Sequence, residues 1–286
     1  MNIFTIGGVG LVGSRVSEVL KDRFNFTDLS RASGVDITNK QSLDVIAQDK
    51  NHEWLILYAA KTDVDGCEKD KELGENGEAW RVNVTGVRNV VDACKKNNKK
   101  LIYLSTDLVF PGERGNYVED DKTDPQDWYA VTKAEGEKVV KGSGLHSLIL
   151  RIAFPYSFFG VKKHFVSAMY NRLSAGLPLK GITDETFTPT WLDDLSQAID
   201  VLISRDVDGV YHIGGADALT PYQIALEIAD IFNFDKSLIS PTTRQEYFAG
   251  KAFRPFNTSL NSGKIQNLGV KLHSLRQSLR LINQQK

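Results

Sequence analysis

The stretch Asn2-Ile3-Phe4-Thr5-Ile6-Gly7-Gly8-Val9-Gly10-Leu11-Val12-Gly13-Ser14-Arg15-Val16-Ser17-Glu18-Val19-Leu20 decides how this chain folds. Its first five residues are an apolar run with strand character. After Gly13, apolar residues recur at helical spacing, which predicts a helix over 12–21. The glycines therefore lie between a strand and a helix, the context a dinucleotide-binding turn requires. Their spacing is Gly7-x-x-Gly10-x-x-Gly13. Gly7 permits the tight turn, Gly10 lets the backbone approach a pyrophosphate, and Gly13 lets the helix pack close to the strand. The helix N-terminus adds amide donors and a partial positive charge. A glycine-rich turn without a ligand is the alternative.

The rest of the chain repeats the alternation. Strands are predicted over 2–6, 24–29, 54–59, 100–105, 146–152 and 209–213. Helices are predicted over 12–21, 40–48, 78–97, 129–141, 163–175, 192–203 and 221–232. Continuous apolar strands between amphipathic helices imply a parallel sheet covered on both faces, an α/β fold of the Rossmann-type doubly wound kind. Ligands of such sheets bind at the carboxyl ends of the strands. Gly7, Ala59-Ala60, Thr106 and residues 152–155 all fall there.

Composition narrows the function. The 286 residues can bury a large core, and the hydrophobic content of 41% and charged content of 25% are ordinary for a globular protein. A net charge of −1 offers no basic field for nucleic acid or an anionic membrane. No apolar run reaches the length of a membrane span. The first strand begins at once, so no signal peptide and a cytoplasmic location are expected. Cys67 and Cys94 form no metal-type cluster and read as buried helix packing. No metal is expected.

Tyr129-Ala130-Val131-Thr132-Lys133 follows Leu104-Ser105-Thr106-Asp107. Positions four apart share one helix face, so the phenol and the ammonium reach one small volume. A nearby cation favours the phenolate and lowers the tyrosine pKa. Thr106, at a predicted strand end, adds a hydroxyl. The three groups suit proton transfer at a carbonyl or alcohol oxygen. A solvated helix face is the bland alternative.

With the glycine spacing, these residues resemble an extended short-chain dehydrogenase/reductase. The closer resemblance is to the dTDP-4-dehydrorhamnose reductase family. It is carried by Tyr58-Ala59-Ala60-Lys61-Thr62-Asp63-Val64-Asp65, Asn83-Val84, the run from Ser105 to Gly112, Tyr129 to Glu137, Leu150-Arg151, Thr188-Pro189-Thr190 and Arg254 to Leu260. The resemblance implies a dinucleotide-binding domain over 1–153 with a return stretch near 186–213. A smaller C-terminal substrate lobe would be built from 154–185 and 214–286. It implies Thr106, Tyr129 and Lys133 as catalytic residues. It implies cofactor contacts from Gly7, Gly10, Leu11, Val12, Ser30, Arg31, Asp36, Ile37, Ala59, Ala60, Lys61, Asn83, Ser105, Tyr129, Lys133 and Phe154. A homodimer is compatible with it.

The cofactor follows from the second strand. A carboxylate there binds the ribose hydroxyls of NAD, whereas an arginine accommodates the phosphate of NADP. Asp36-Ile37 resembles the family's adenine-contacting pair; read back from it, the resemblance puts Ser30-Arg31 at the phosphate position and Asp28 inside the strand. NADPH is therefore expected, with NADH still open. Hydride transfer to a carbonyl carbon would be the chemistry, with Tyr129 as proton donor and Thr106 hydrogen-bonding the same oxygen. Asn83 resembles the family's helix asparagine that orders the site; read alone, a mid-helix amide equally faces solvent.

The substrate implied is a nucleotide-linked 4-keto-6-deoxy sugar, touched by Val64, Thr106, Asp107, Tyr129, Arg254 and Asn257. Arg254 and Asn257 resemble the segment that binds the diphosphate, and a guanidinium fork suits phosphate. An arginine paired with a carboxylate is the alternative. Lys163 and His164 replace the family's usual asparagine pair. Phe154, Tyr156, Phe158 and Phe159 line the pocket or fill the core. Leu108 stands where enzymes that also epimerise carry a cysteine, and an aliphatic side chain cannot move a proton. A plain ketoreductase is expected. The rivals are a bifunctional epimerase/reductase and a non-catalytic binding subunit like the regulatory subunit of methionine adenosyltransferase.

Overall fold

Strand β1 (Asn2–Ile6) forms from the apolar run that opens the chain, and its last four residues are buried. The structure, a computed structural model, describes residues 1–158 and 162–284. After β1 come α1 (Leu11–Leu20), β2 (Asn25–Leu29), α2 (Asp44–Gln48), β3 (Trp54–Leu57), α3 (Val64–Lys69) and α4 (Glu78–Trp80). Then follow α5 (Val87–Lys95), β4 (Lys100–Thr106), α6 (Trp128–Lys141) and β5 (Ser147–Ile152). The later chain adds α7 (Phe165–Ser174), β6 (Leu179–Ile182), α8 (Leu192–Ser204), β7 (Gly209–His212) and α9 (Pro221–Phe232). It ends with β8 (Ile239–Thr242), α10 (Arg244–Tyr247), α11 (Gly263–Gln266) and α12 (Leu275–Gln284).

Six strands form one parallel sheet in the order β2-β1-β3-β4-β5-β7. All six correspond to predicted strands. Side chains alternate across the pleat, so each strand feeds both faces. On one face Ile3, Trp54, Ile56, Ile102 and Leu150 pack with Val16 and Leu20 of α1 and Leu195, Ile199 and Leu202 of α8. On the other, Phe4, Leu55, Leu101, Tyr103 and Ile149 pack with Ile46 of α2 and Val87, Val90 and Cys94 of α5. Burial on both faces explains why the central strands, above all β3 and β4, read as apolar runs. A separate apolar cluster gathers Tyr156, Phe187, Trp191 and the inner faces of α7, α9 and α12, beside a two-stranded parallel sheet of β6 and β8.

Several predicted elements differ in detail. The helix starts at Leu11 rather than Val12 because Gly10 takes the N-cap position. The helix predicted over 40–48 divides into a 3-10 turn, Lys40–Leu43, and α2. That predicted over 78–97 is interrupted by a π-helical turn, Arg81–Gly86, between α4 and α5. That predicted from 163 begins at Phe165, since His164 caps it by accepting from Ser167 N at 3.1 Å. The sequence reading had no counterpart for β6, β8, α3, α10, α11 or α12. Among the described residues no helix is long and apolar enough to cross a membrane.

Candidate active site

The helices α1 and α5, which follow β1 and β3, cover opposite faces of the sheet. A crevice opens where they diverge, at the carboxyl ends of adjacent strands. It holds two cavities, of about 390 and 600 Å³, that share Gly7, Ala59 and Ala60. Ser30, Arg31, Asp36, Ile37 and Lys61 line the smaller. Gly10, Leu11, Val12, Val64, Ser105, Thr106, Asp107, Tyr129, Lys133 and Phe154 line the larger. Residues scattered over the first 154 positions thus converge on one place.

The glycine turn is built for a close approach. Gly7 has φ +83°, and a Cβ there would lie 2.8 Å from the Ala59 amide nitrogen. A Cβ on Gly13 would come within 2.5 Å of Gly8 Cα, so Gly13 packs against the turn itself rather than the strand. Asp28, inside β2, anchors the turn by accepting from Gly8 N at 2.7 Å and Thr5 Oγ1 at 2.9 Å. The N-terminus of α1 has no capping side chain and no acidic residue in its first turn. Its amide donors remain available to a phosphate. This cradle fits a dinucleotide pyrophosphate.

At the rim of the smaller cavity, Arg31 is mostly exposed and pairs with Asp36 Oδ2 at 3.0 Å. Thr38 donates from its backbone N and Oγ1 to Asp36 Oδ1, holding that carboxyl below its ordinary range. Lys61 presents its Nζ to Glu78 at 2.7 Å.

Asn83 is not a surface amide. The π-helical turn directs it inward, and it is 1% exposed. Its Oδ1 accepts from Lys61 N at 2.8 Å, and its Nδ2 donates to Lys61 O at 3.0 Å and Thr132 Oγ1 at 2.9 Å. Asn83 lines neither cavity but ties the loop after β3 to the helix that carries Tyr129 and Lys133.

Asp127 caps α6 by accepting from Ala130 N at 2.9 Å. This sets Tyr129 and Lys133 on one buried face. Lys133 Nζ donates to Leu104 O at 2.7 Å and lies 4.0 Å from the centre of the Tyr103 ring. Burial pulls its pKa down to about 7, against a partial pull upward from Glu137. The expected lowering of the Tyr129 pKa is reversed. Burial raises the phenol above the ordinary tyrosine range, and a hydrogen bond with Thr106 opposes that rise. The lysine's donor reaches the Leu104 carbonyl, so helix spacing alone misjudged the balance.

Thr106 Oγ1 donates to Asp107 Oδ1 at 3.0 Å and accepts from Leu108 N at 3.2 Å. In this arrangement its proton faces Asp107, and donation to a substrate oxygen requires the hydroxyl to turn. Asp107 Oδ2 accepts from Thr258 Oγ1. Burial pushes the Asp107 carboxyl up to about 6. The Ser105 hydroxyl donates to Glu137 Oε1 at 2.6 Å, so that side chain is already engaged. Glu137 also receives Arg151 Nε at 2.9 Å and Nη2 at 2.7 Å, a buried ion pair that sequence reading missed. Its signal was a glutamate one turn beyond Lys133.

Arg254 and Asn257 line neither cavity. Arg254 Nη2 instead donates to Asp65 Oδ1 at 2.9 Å. Asn257 Oδ1 accepts from Ser259 N at 3.1 Å, and its amide packs on Gly115. Lys163 is exposed and His164 is buried at the start of α7. Leu108 lines the larger cavity. Of the aromatic residues, Phe154 lines that cavity and stacks on Phe187 at 3.8 Å. Tyr156 is core and hydrogen-bonds Ser278, and Phe158 lies near Trp191. Phe159 falls outside the described residues. Cys67 and Cys94 are both buried, with thiols pushed up to about 12. Among the described residues no group of three or more His, Cys, Asp or Glu is placed to hold a metal ion.

A family model described as the RmlD substrate binding domain matches residues 1–286. The chain belongs to the RmlD family. This is the dTDP-4-dehydrorhamnose reductase family of extended short-chain dehydrogenases/reductases. The dTDP-4-dehydrorhamnose reductase of Aggregatibacter actinomycetemcomitans is 30% identical over 91% of this chain and 90% of its own length. Methionine adenosyltransferase 2 subunit beta of Xenopus laevis is 27% identical over 92% of this chain and 81% of its own. A crystal structure of dTDP-4-dehydrorhamnose reductase from Bacillus anthracis, in complex with NADP, superposes with a TM-score of 0.90 at 26% identity. It covers 100% of this chain and 99% of that one.

Proposed function

We propose that this RmlD-family chain is an NADPH-dependent reductase of a nucleotide-linked 4-keto-6-deoxy sugar. The observation that carries the reading is the convergence of Thr106, Tyr129 and Lys133 on a cavity continuous with the glycine cradle. A subunit that only binds a cofactor has no use for that triad beside an open cavity. The division into a cofactor domain over 1–153 and 186–213 and a substrate lobe over 154–185 and 214–286 is supported by two facts. β7 joins the main sheet, and α7, α9 and α12 share their own core.

The glycine turn and the α1 N-terminus hold the pyrophosphate, Ser30 and Arg31 the additional phosphate, and Asp36-Ile37 with Ala59–Lys61 the adenosine end. When bound, the cofactor supplies a hydride to the carbonyl carbon. Tyr129 gives its phenolic proton to the carbonyl oxygen as that oxygen gains charge. A phenol raised by burial holds its proton at neutral pH and is a suitable acid. Lys133, held by Leu104 O, stabilises the phenolate left behind. Thr106 sits against the phenol and orients it. Leu108 brings no proton donor to the wall, which supports reduction without epimerisation.

The test is to mix the protein with NADPH and a panel of nucleotide 4-keto-6-deoxy sugars and follow loss of reduced-nicotinamide absorbance. Turnover of at least one member with an alcohol product is expected. Tight NADPH binding without turnover of any member would assign the chain to the binding-subunit class.

A further inference from the structure

The glycine turn has already spent some of its own donors. Gly8 N is committed to Asp28 Oδ1 at 2.7 Å, and Gly10 N to Gly7 O at 3.0 Å. Arg15, on α1, is turned aside. Its Nε and Nη2 donate to Asp193 of α8 at 2.7 and 2.8 Å, and its Nη1 donates to Glu18 at 2.8 Å. Among the described residues that line the larger cavity, Lys133 is the one cation, and its ammonium donates to Leu104 O. A pyrophosphate in this cradle therefore meets helix amides and a dipole equivalent to about half a positive charge.

A further cation comes from later in the chain. Lys162 donates its Nζ to the carbonyl oxygen of Val9, in the middle of the glycine turn, and Val9 itself lines the larger cavity. The two residues are 153 positions apart. Anchors on both sides bring the lysine there. Phe154 and Pro155 line the same cavity, and Phe158 packs on the Arg15 guanidinium at 4.6 Å, beside α1. On the other side His164 is buried and caps α7. Lys162 is exposed. An ammonium has three donors, and Val9 O takes one of them.

We propose that Lys162 is a cofactor-binding residue that donates to the pyrophosphate of the dinucleotide. The proposal rests on the reading of this cradle as the cofactor site. The competing role is a loop tether, in which the bond to Val9 O only fixes the turn. Charge separates the two. A tether needs a donor, which a glutamine side chain also supplies, whereas a phosphate contact draws on the positive charge. NADPH and NADH both carry the pyrophosphate, so Lys162 serves them alike, in contrast to Arg31.

The experiment titrates wild type, Lys162→Gln and Lys162→Arg with NADPH, NADH and ADP-ribose by calorimetry, at low and high salt. ADP-ribose keeps the pyrophosphate and lacks the nicotinamide. Lys162→Gln is expected to bind all three about tenfold more weakly, the low end for a charged hydrogen bond because the lysine is exposed. The loss shrinks at high salt, where the attraction is screened. Lys162→Arg keeps the charge and should keep most of the affinity. The cofactor-free melting temperature of Lys162→Gln should equal that of wild type. A lower one would assign the bond to Val9 O to the fold and overturn the proposal. Unchanged affinity for all three ligands overturns it too. So does a loss confined to NADPH, which would place the lysine at the additional phosphate, or a loss absent with ADP-ribose, which would place it at the nicotinamide. An equal loss in Lys162→Arg contradicts the role of charge. A wild type that binds neither NADPH nor NADH would sink the cofactor reading itself, an outcome distinct from each of these.

Discussion

Replacing Asn83 with alanine tests whether one buried amide assembles this site. The side chain makes three hydrogen bonds, two to the Lys61 backbone and one to Thr132. Each is worth about 0.5–1.5 kcal/mol net, so the loss is about 2–4 kcal/mol once the freed Lys61 groups are counted. The alanine also leaves a small void, which adds to the cost. A chain of this length unfolds with an entropy of about 0.6 kcal/mol/K, so the melting temperature should fall by about 3–7 °C. Function should suffer more than stability. Lys61 follows Ala59-Ala60, which form part of both cavity walls. Loosening this loop should weaken NADPH by about tenfold or more, from the same lost bonds. The assay is NADPH titration by fluorescence beside a thermal melt. An Asn83→Ala protein with wild-type NADPH affinity and melting temperature would show that the amide does not tie the loop to α6.

Two other substitutions probe separate parts of the account. Arg31→Ala should weaken NADPH by about tenfold and NADH hardly at all, the low end for a charged hydrogen bond because Arg31 is so exposed; equal weakening of both cofactors, measured by titration, refutes its phosphate role. Burial pushes the Glu185 carboxyl up to about 7. The folded state therefore holds a proton there that the unfolded chain has released, and this stability is present at acid pH and lost as pH rises through about 7. Glu185→Gln cannot ionise, so it should gain up to about 2–3 kcal/mol over wild type near pH 8 and almost nothing near pH 4. Urea unfolding at the two pH values checks this, and a pH-independent difference contradicts it.

The main sheet was legible because its central strands β1, β3, β4 and β5 are buried on both faces and so declare themselves as apolar runs; the edge strands β2 and β7 are only partly buried. Gly7, Ala59 and Thr106 could be placed at one edge because that edge follows from strand ends. What escaped depends on partners far away in sequence. β6 and β8 are four residues each, and Pro241 breaks the strand signature of the second; only pairing with Leu179–Ile182 makes it a strand. Read alone, Asn83 left a site role and a solvent-facing amide equally open, because a π-helical turn changes which side of the helix a residue occupies. The Tyr129 pKa was misjudged because spacing shows Lys133 but not the burial around both groups. That Arg254 pairs with a carboxylate was the stated alternative, but nothing local in the sequence pointed to Asp65 as the partner. For α12 the signal was present, since Leu275, Leu279 and Ile282 recur at helical spacing and are all buried.

In the proposed function Tyr129, which lines the larger cavity, makes this chain a reductase. The most direct test compares wild type and Tyr129→Phe in a single-turnover reaction of the NADPH-loaded protein with a nucleotide 4-keto-6-deoxy sugar. General acid catalysis is worth about a hundred- to ten-thousandfold, so the variant should bind NADPH normally and lose that much rate. A phenylalanine variant that reduces the sugar at nearly the wild-type rate would contradict the account.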